Sequence, residues 1–272
     1  MKSRSMAMLI LGAALFLIAN GAWAGSISIK GSTTVLPITQ KVAEAYMKQN
    51  PEVKITIEGG GSGNGIKAII DGLADVGNSS RFIKTAEVAM AVEKGRYPVP
   101  FAVAYDCIVP VVHPSNTLTN ITLEQLKRVY MGEVKNWKEI GGPDAPVVVI
   151  SRDTSSGTYE VWSEQVLKGD RVFPGALLQA SNGAIVQAVS KNRNAVGYIG
   201  IGYINKEVKV LTVNNVLGTP ETTLNGTYPV SRALYMFTQG WPKGETLSFI
   251  NFMLNPQKGQ KFVAEAGFVP LY

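Results

Sequence analysis

Cysteine and histidine are almost absent from this chain. Its 272 residues include one of each, Cys107 and His113. A single cysteine excludes an internal disulfide, and one cysteine with one histidine excludes the common zinc sites, which take three or four such ligands. Charged residues are also few, at 17%, whereas 46% of the residues are hydrophobic. This composition indicates a globular protein and excludes disordered, collagen-like and coiled-coil chains.

The amino-terminal residues 1–24 have the pattern of a secretory signal peptide. Lys2 and Arg4 precede a 14-residue apolar run, Met6 to Ala19, and small residues frame Trp23 before Gly25. The run is short for a membrane span, which needs roughly 20 apolar residues. We therefore expect cleavage after Ala24 and export of the mature chain to the periplasm. An uncleaved amino-terminal anchor is the alternative.

The charge balance is mildly basic and not concentrated. Lys and Arg number 26 and Asp and Glu 20, a net charge of +6; without the two leader cations it is 24 − 20 = +4. The chain has no dense Lys/Arg stripe with interleaved aromatic residues, so nucleic-acid binding is not expected. A mildly basic protein is compatible with an anionic ligand.

Three strand, loop and helix units share one kind of loop. Each has a short alternating or apolar run, a loop rich in Gly, Ser and Thr, and then apolar residues at helical spacing. A helix amino terminus has free N–H groups and partial positive charge, so three such ends meeting at one point would hold a tetrahedral oxyanion. For any one loop, ordinary helix capping is the plainer alternative. The loops are Gly31–Thr34 before Pro37, Gly59–Gly65, and Ser151–Thr158, which also carries Arg152.

A fourth segment, 74–81, follows the second predicted helix. It ends in Ser79, Ser80 and Arg81, again hydroxyls beside an arginine. Such a segment would complete an anion pocket. A short strand followed by a solvated turn is the alternative.

Motifs for catalysis are missing. The loop before Ile66-Lys67 does not place Gly and Lys side by side, so no phosphate-cradling loop of nucleotide hydrolases is present. No five-residue nucleophile elbow occurs around Ser62 or Ser156. His113 ends an apolar run before Pro114, where a strand-end residue is expected rather than a general base. We expect a protein that is not an enzyme and that uses no cofactor or metal.

Taken in order, these loops resemble the phosphate-binding proteins of Pst-type ABC transporters, a family with the type II periplasmic-binding-protein fold. The resemblance covers essentially the whole mature chain. It implies an α/β protein of two lobes that close on phosphate by a hinge and deliver it to a membrane permease. It further implies eight phosphate-binding residues: Ser32, Thr33, Thr34 and Ser62 from one lobe, and Arg152, Ser156, Gly157 and Thr158 from the other. Ser80 and Arg81 of the fourth segment are two further candidates for the phosphate site.

One position departs from the family pattern. Better-known members have an aspartate where this chain has Ser80, and that carboxylate accepts the proton of monohydrogen phosphate while repelling sulfate. A hydroxyl both donates and accepts, so this means of rejecting sulfate is missing here. Arg81 beside it either adds positive charge to the pocket or pairs with a surface acid. We expect the former.

The family pattern also predicts the chain's organisation. Residues 25–103 and 233–272 are expected to form a discontinuous first lobe, and residues 104–232 the second. The partners expected are inorganic phosphate and a permease, with a monomeric binding protein. Three alternatives remain: another oxyanion such as sulfate or molybdate as ligand, an exported phosphatase or esterase using Ser62 or Ser156, and a surface scaffold whose loops only cap helices.

Overall fold

The computed structural model describes residues 25–272, so the predicted signal peptide lies outside the described residues. Strands and helices alternate from Ser26 to Val112 and again from Val148 to Gly200, as the periodicity of the three strand, loop and helix units predicts. The strands are β1 (Ser26–Gly31), β2 (Lys54–Gly59), β3 (Val76–Ser79), β4 (Val99–Val112), β5 (Asn120–Ile121), β6 (Val148–Arg152), β7 (Leu177–Gln179), β8 (Ala195–Gly200), β9 (Lys209–Val210), β10 (Thr212–Val213) and β11 (Ser231–Thr238).

Most of the longer helices bury one apolar face. In α1, Ile38, Val42 and Tyr46 recur every four residues and are all buried. None of the helices in the described range combines the length and apolar character needed to cross a membrane. They are α1 (Leu36–Gln49), α2 (Ser62–Asp71), α3 (Thr85–Glu93), α4 (Leu123–Tyr130), α5 (Gly157–Gln165), α6 (Asn182–Ser190), α7 (Pro220–Leu224), α8 (Gly244–Leu254) and α9 (Gly259–Glu265).

One nine-stranded sheet runs through the described chain in the order β2-β1-β3-β11-β4-β8-β6-β7, with β9 paired to β4. β1 is parallel to β2 and β3, and β6 is parallel to β7 and β8. We call the part built on β1–β3 the first lobe and the part built on β6–β8 the second lobe. Helices α8 and α9 pack on α1, so the chain's end returns to the first lobe.

The two long strands β4 and β11 join the lobes. From Val99 to Cys107, β4 pairs antiparallel with β11, and from Ile108 to Val112 it pairs with β8. The boundaries expected from the sequence, 103/104 and 232/233, lie inside these strands, and the exact division stays a prediction. Helices α1, α2, α5 and α6 follow the carboxyl ends of β1, β2, β6 and β7, and the segments at their starts meet between the lobes.

Candidate functional site

The first loop places three hydroxyls between the lobes. Gly31 has φ +131°, and a Cβ there would lie 2.2 Å from Asn78 O, so only glycine lets the chain pass this close to β3. Ser32 Oγ then accepts from the N–H groups of Thr34 (3.1 Å) and Val35 (3.4 Å). Ser32, Thr33 and Thr34 are all buried. The loop therefore points hydroxyl groups inward at the start of α1.

The second loop and the fourth segment meet at Ser62 and Ser80. Ser62 is the first residue of α2 and is fully buried. Its Oγ accepts from Ser80 N at 2.9 Å and lies 3.2 Å from Ser80 Oγ. The structure thus brings these two predicted residues together in the first lobe.

Arg152 ends strand β6 of the second lobe and is 1% exposed. Its Nε and Nη2 each donate at 3.0 Å to the carbonyls of Gln179 and Ala180. Nη1 is buried and has no hydrogen-bond partner in the described chain. Among the ion pairs of residues 25–272, none involves Arg152. The site therefore contains a buried cation with one unused donor, and burial lowers its pKa.

Aromatic packing holds Arg152 in place. The Tyr198 hydroxyl accepts from Arg152 N at 3.1 Å and lies 2.9 Å from Ser151 Oγ. Trp162 of α5 stacks on the Tyr198 ring with a centroid distance of 4.4 Å. Asp153, the next residue in the chain, accepts from Ser155 N at 2.9 Å and shapes the loop.

Helix α5 begins at the site. Ser156 caps it by accepting from Tyr159 N at 3.2 Å. The N–H groups of Gly157 and Thr158 lie in the first turn, where a helix offers no partner. A Cβ on Gly157 would lie 2.3 Å from Ser62 Oγ and 2.9 Å from Ser80 Oγ. Glycine is therefore what lets this helix end approach the first lobe.

The lobes touch across the site. Thr34 Oγ1 and Thr158 Oγ1 are hydrogen-bonded at 2.9 Å. Gly63 N donates to Ser155 O at 2.9 Å, and Ser155 Oγ donates to Gly60 O at 3.1 Å. The described conformation is therefore one in which the cleft is closed.

Sequence reasoning missed three residues of this cluster, namely Asp106, Asn182 and Arg232, all of them buried. Asn182 begins α6, and its Nδ2 donates to Thr34 Oγ1 at 3.0 Å and Thr33 Oγ1 at 3.3 Å.

Arg232 of β11 pairs with Asp106 of β4. Its Nε and Nη2 lie 2.9 and 2.7 Å from Asp106 Oδ2. Burial raises the pKa of Asp106, and the guanidinium opposes that rise. Two signals in the sequence could have pointed to the missed residues. Asp106 is an acid inside an apolar strand, and Asn182 belongs to a Ser-Asn pair before a helical pattern.

Arg81 lies in a neighbouring ion-pair cluster. Its Nη2 is 2.7 Å from Glu87 Oε1, and its Nε is 2.9 Å from Glu160 Oε1. Lys84 also pairs with Glu160. Because two carboxylates already balance the guanidinium, Arg152 is the cation of this region whose charge is unmatched. Glu160 belongs to α5, so the cluster links the two lobes.

A family model for the PBP superfamily domain matches residues 19–257. The chain is 34% identical to the phosphate-binding protein PstS of Borreliella burgdorferi over 257 residues, 89% of either chain. Its fold matches a phosphate ABC transporter substrate-binding protein of Clostridium perfringens, solved with bound phosphate, with a TM-score of 0.85 and 36% identity over 91% of this chain and 100% of that one. An ABC-type phosphate transport receptor of Vibrio cholerae matches with a TM-score of 0.73 and 32% identity, covering 89% and 99%.

These matches confirm the α/β, two-lobed type II periplasmic-binding-protein fold and the resemblance drawn from the loops. They are binding proteins of phosphate transport and not enzymes. The matched lengths exceed four-fifths of the chain, so the likeness concerns the whole molecule and not one loop. The chain belongs to the periplasmic-binding-protein superfamily and, within it, to the family of the Pst-type phosphate-binding proteins.

Proposed function

We propose that this chain captures inorganic phosphate between its lobes and delivers it to an ABC permease after export to the periplasm. The observation that carries the proposal is Arg152, a buried guanidinium with no carboxylate partner and an unused Nη1 donor. An isolated buried cation is costly, so such a group is kept where an anion joins it. Phosphate bound to Arg152 would supply both the charge and the acceptor.

The remaining predicted residues supply neutral donors around that cation. Ser156, Gly157 and Thr158 lie at the start of α5 in the second lobe, whereas Ser32 and Ser62 face them from the first lobe. Thr33, Thr34 and Ser80 complete the proposed set. We leave Arg81 out, because its guanidinium pairs with Glu87 and Glu160.

Several charge-assisted hydrogen bonds of this kind are enough to give a micromolar affinity for phosphate. A micromolar dissociation constant corresponds to about −8 kcal/mol. Hydrogen bonds to charged groups contribute about 1.5–3 kcal/mol each, which leaves a margin for the cost of ordering two lobes. The relatives named above are phosphate-binding proteins, and the shared fold supports the same ligand for this chain.

Sulfate is the second candidate ligand, favoured by the hydroxyl of Ser80 where an acid would exclude it. A phosphatase using Ser62 or Ser156 finds no support in the geometry. Within residues 25–272, the hydrogen bonds of Ser62 Oγ are all with Ser80, and His113 bonds to Ser115 Oγ at 2.8 Å on the surface.

Calorimetric titration of the chain from Gly25, unfolded and refolded to remove bound anions, tests the proposal. We expect phosphate to bind with about micromolar affinity or better, and Arg152→Ala to weaken binding at least about tenfold through lost charge-assisted bonds. Arg171→Ala is the matched control, since Arg171 is an exposed arginine of the same lobe. Equal affinity of R152A and R171A would refute the site, and no binding of phosphate by the wild type would refute the function.

A further inference from the structure

Gly25 lies against the side chain of Glu245, where the start of β1 meets helix α8. A Cβ placed on Gly25 would lie 2.3 Å from Glu245 Cγ and 3.4 Å from Glu245 Cδ. The nitrogen of Gly25 is attached to the same Cα as that Cβ, so rotation of the Glu245 side chain alone brings the carboxylate to the nitrogen. Gly25 is also the residue at which the mature chain is expected to begin. The expected cleavage site and an acidic side chain of the folded first lobe are therefore neighbours.

The sheet holds the backbone of Gly25 in place. Its carbonyl accepts from Lys54 N at 2.8 Å, beside the pair Ser26 and Lys54 in the parallel ladder of β1 and β2. β1 starts at Ser26 and lies between β2 and β3. The nitrogen of Gly25 thus has a defined position at one end of the central strand of the first lobe.

Glu245 has one carboxylate oxygen in use and one free. Its Oε2 accepts from the Tyr46 hydroxyl at 3.0 Å. Burial and this carboxylate raise the pKa of Tyr46 to about 12, so the hydroxyl keeps its proton and continues to donate at neutral pH. Within residues 25–272, Oε1 accepts no hydrogen bond and Glu245 takes part in no ion pair. Tyr46 therefore fixes one side of the carboxylate and leaves the other side available to a cation.

Cleavage between Ala24 and Gly25 supplies a cation at this point. The peptide bond breaks, and water adds its hydroxyl to the carbonyl carbon of Ala24 and its hydrogen to the nitrogen of Gly25. The proton of the new carboxyl group then passes to the new amine. The amide nitrogen of an uncleaved chain has no charge, whereas the amine of the mature chain is mostly protonated, and so positively charged, at neutral pH.

We propose that removal of residues 1–24 creates an ion pair between the amine of Gly25 and the carboxylate of Glu245, which fastens the start of β1 to α8. The inference rests on the proposed function, of which export and cleavage are a part. Glycine suits position 25, because a methyl group there would meet Glu245 Cγ and push the side chain off its bond with Tyr46.

The pair joins elements from the two ends of the described chain. β1 is its first strand, and α8 follows only after the chain has returned from the second lobe. α8 packs on both β1 and α1. At its other end, β1 leads into Gly31 and the first hydroxyl loop of the site. The pair therefore stabilises the first lobe only in a chain that is both complete and cleaved, and the precursor is the less stable form.

Thermal unfolding of phosphate-free chains tests the pair. Two chains are released from a cleavable fusion, one beginning at Gly25 and one at Ala24, each as wild type and as E245Q. Glutamine keeps the bond with Tyr46, because its Oε1 also accepts. In the chain from Gly25, E245Q should lower the Tm by about 2–4 °C. In the chain from Ala24 the amine lies about 3.8 Å farther along the backbone, so E245Q should lower the Tm by at most about half that amount.

Glu44→Gln is the matched control. Glu44 is an exposed acid of α1 and forms no ion pair within the described residues. E44Q removes the same charge from the same lobe, so it should change the Tm of both chains equally. Mass spectrometry of the protein exported by cells that make the full chain should give the mass of a chain that begins at Gly25.

An equal loss of Tm from E245Q in the two chains, or an exported chain that begins at another residue, would overturn the inference. All of these chains should bind phosphate with wild-type affinity, because the pair lies at the opposite end of β1 from the site. Chains that showed the difference in Tm but bound no phosphate would refute the proposed ligand and leave the ion pair standing.

Discussion

Thr34 and Thr158 are joined by a hydrogen bond of 2.9 Å between their Oγ1 atoms, although 124 positions separate them in the chain. Thr34 belongs to the first lobe and Thr158 to the second. Both hydroxyls also accept from Arg232 on the strand that connects the lobes. Closing the lobes therefore also brings the groups of the ligand site together. Changes that hinder closure should weaken binding even when they remove no group that contacts the ligand.

Gly157→Ala tests the tightness of that closure. The added methyl would lie 2.3 Å from Ser62 Oγ and 2.8 Å from its Cβ, distances that force the lobes apart. Overpacking of this kind costs about 1–3 kcal/mol, so phosphate affinity should fall about 10- to 100-fold. Small-angle scattering in saturating phosphate should show a larger radius of gyration than for wild type.

Gly183→Ala is the matched control for that substitution. Gly183 also lies in the first turn of a second-lobe helix, but its added Cβ would have no neighbour closer than 3.9 Å. It should bind phosphate as wild type does. If G157A and G183A bound equally well, close approach of α5 to Ser62 would not be needed for binding.

Glu160→Gln tests the ion pairs that link the lobes beside the site. Glu160 pairs with Arg81 and Lys84 across the cleft, and the Arg81 and Glu160 side chains are 7% and 18% exposed. Removing the charge should favour the open form and weaken phosphate binding about 3- to 10-fold, as for a partly buried pair. The effect should shrink in high salt, which screens the wild-type attraction.

The control for this experiment lies one turn further along α5. Glu164 is exposed and forms no ion pair within the described chain. Titration of phosphate into E164Q at low and high salt should give wild-type values. A loss in E164Q as large as in E160Q would mean that overall charge, not the link between lobes, controls affinity.

Ser80→Asp tests how the site distinguishes phosphate from sulfate. Ser80 is 1% exposed and its Oγ receives no N–H in the described chain, so it is free to accept or to donate. Wild type should therefore bind both anions within about tenfold of each other. A carboxylate would accept the proton of monohydrogen phosphate but repel sulfate, so S80D should lose sulfate binding by at least about 100-fold and retain phosphate.

Ser80→Asn separates charge from shape in that experiment. Asparagine has the size of aspartate but adds a donor and no charge. Competition titration should show that S80N still binds sulfate. Rejection of sulfate by wild type, with Ser80 intact, would show that another group supplies the discrimination.

Local pattern was enough to predict most of the elements around the site. Thr122 and Gln125 have the spacing that predicts a capping box, and they form one at the start of α4 with bonds of 3.1 and 2.9 Å. The apolar run Val99–Val112 is one strand with those bounds. The apolar segment Glu245–Leu254 is helical and lies in α8, which buries Phe249, Ile250, Phe252 and Met253. Caps and periodicity depend on neighbours within a few residues, so the sequence displays them directly.

The hydroxyl-rich loops could be recognised in the sequence just as well, but the residues that contact them could not. Hydroxyl-rich loops before three helices indicated an anion site, and the fold places them together. Arg81 and Arg152 had the same local signal, a basic residue beside serines. Only the packing of α3 and α5 decided that Arg81 pairs with Glu87 and Glu160, while Arg152 keeps an unused donor.

The sequence by itself determined the strand, loop and helix units and the chemistry of a donor-rich anion site, because both follow from short-range spacing and residue type. The tertiary structure alone decided that Asp106, Asn182 and Arg232 belong to that site. Asp106 and Arg232 become neighbours only through the register of two strands 126 positions apart. Such contacts arise from the pairing of distant strands, whose register is set by burial over the whole sheet and not by any local motif.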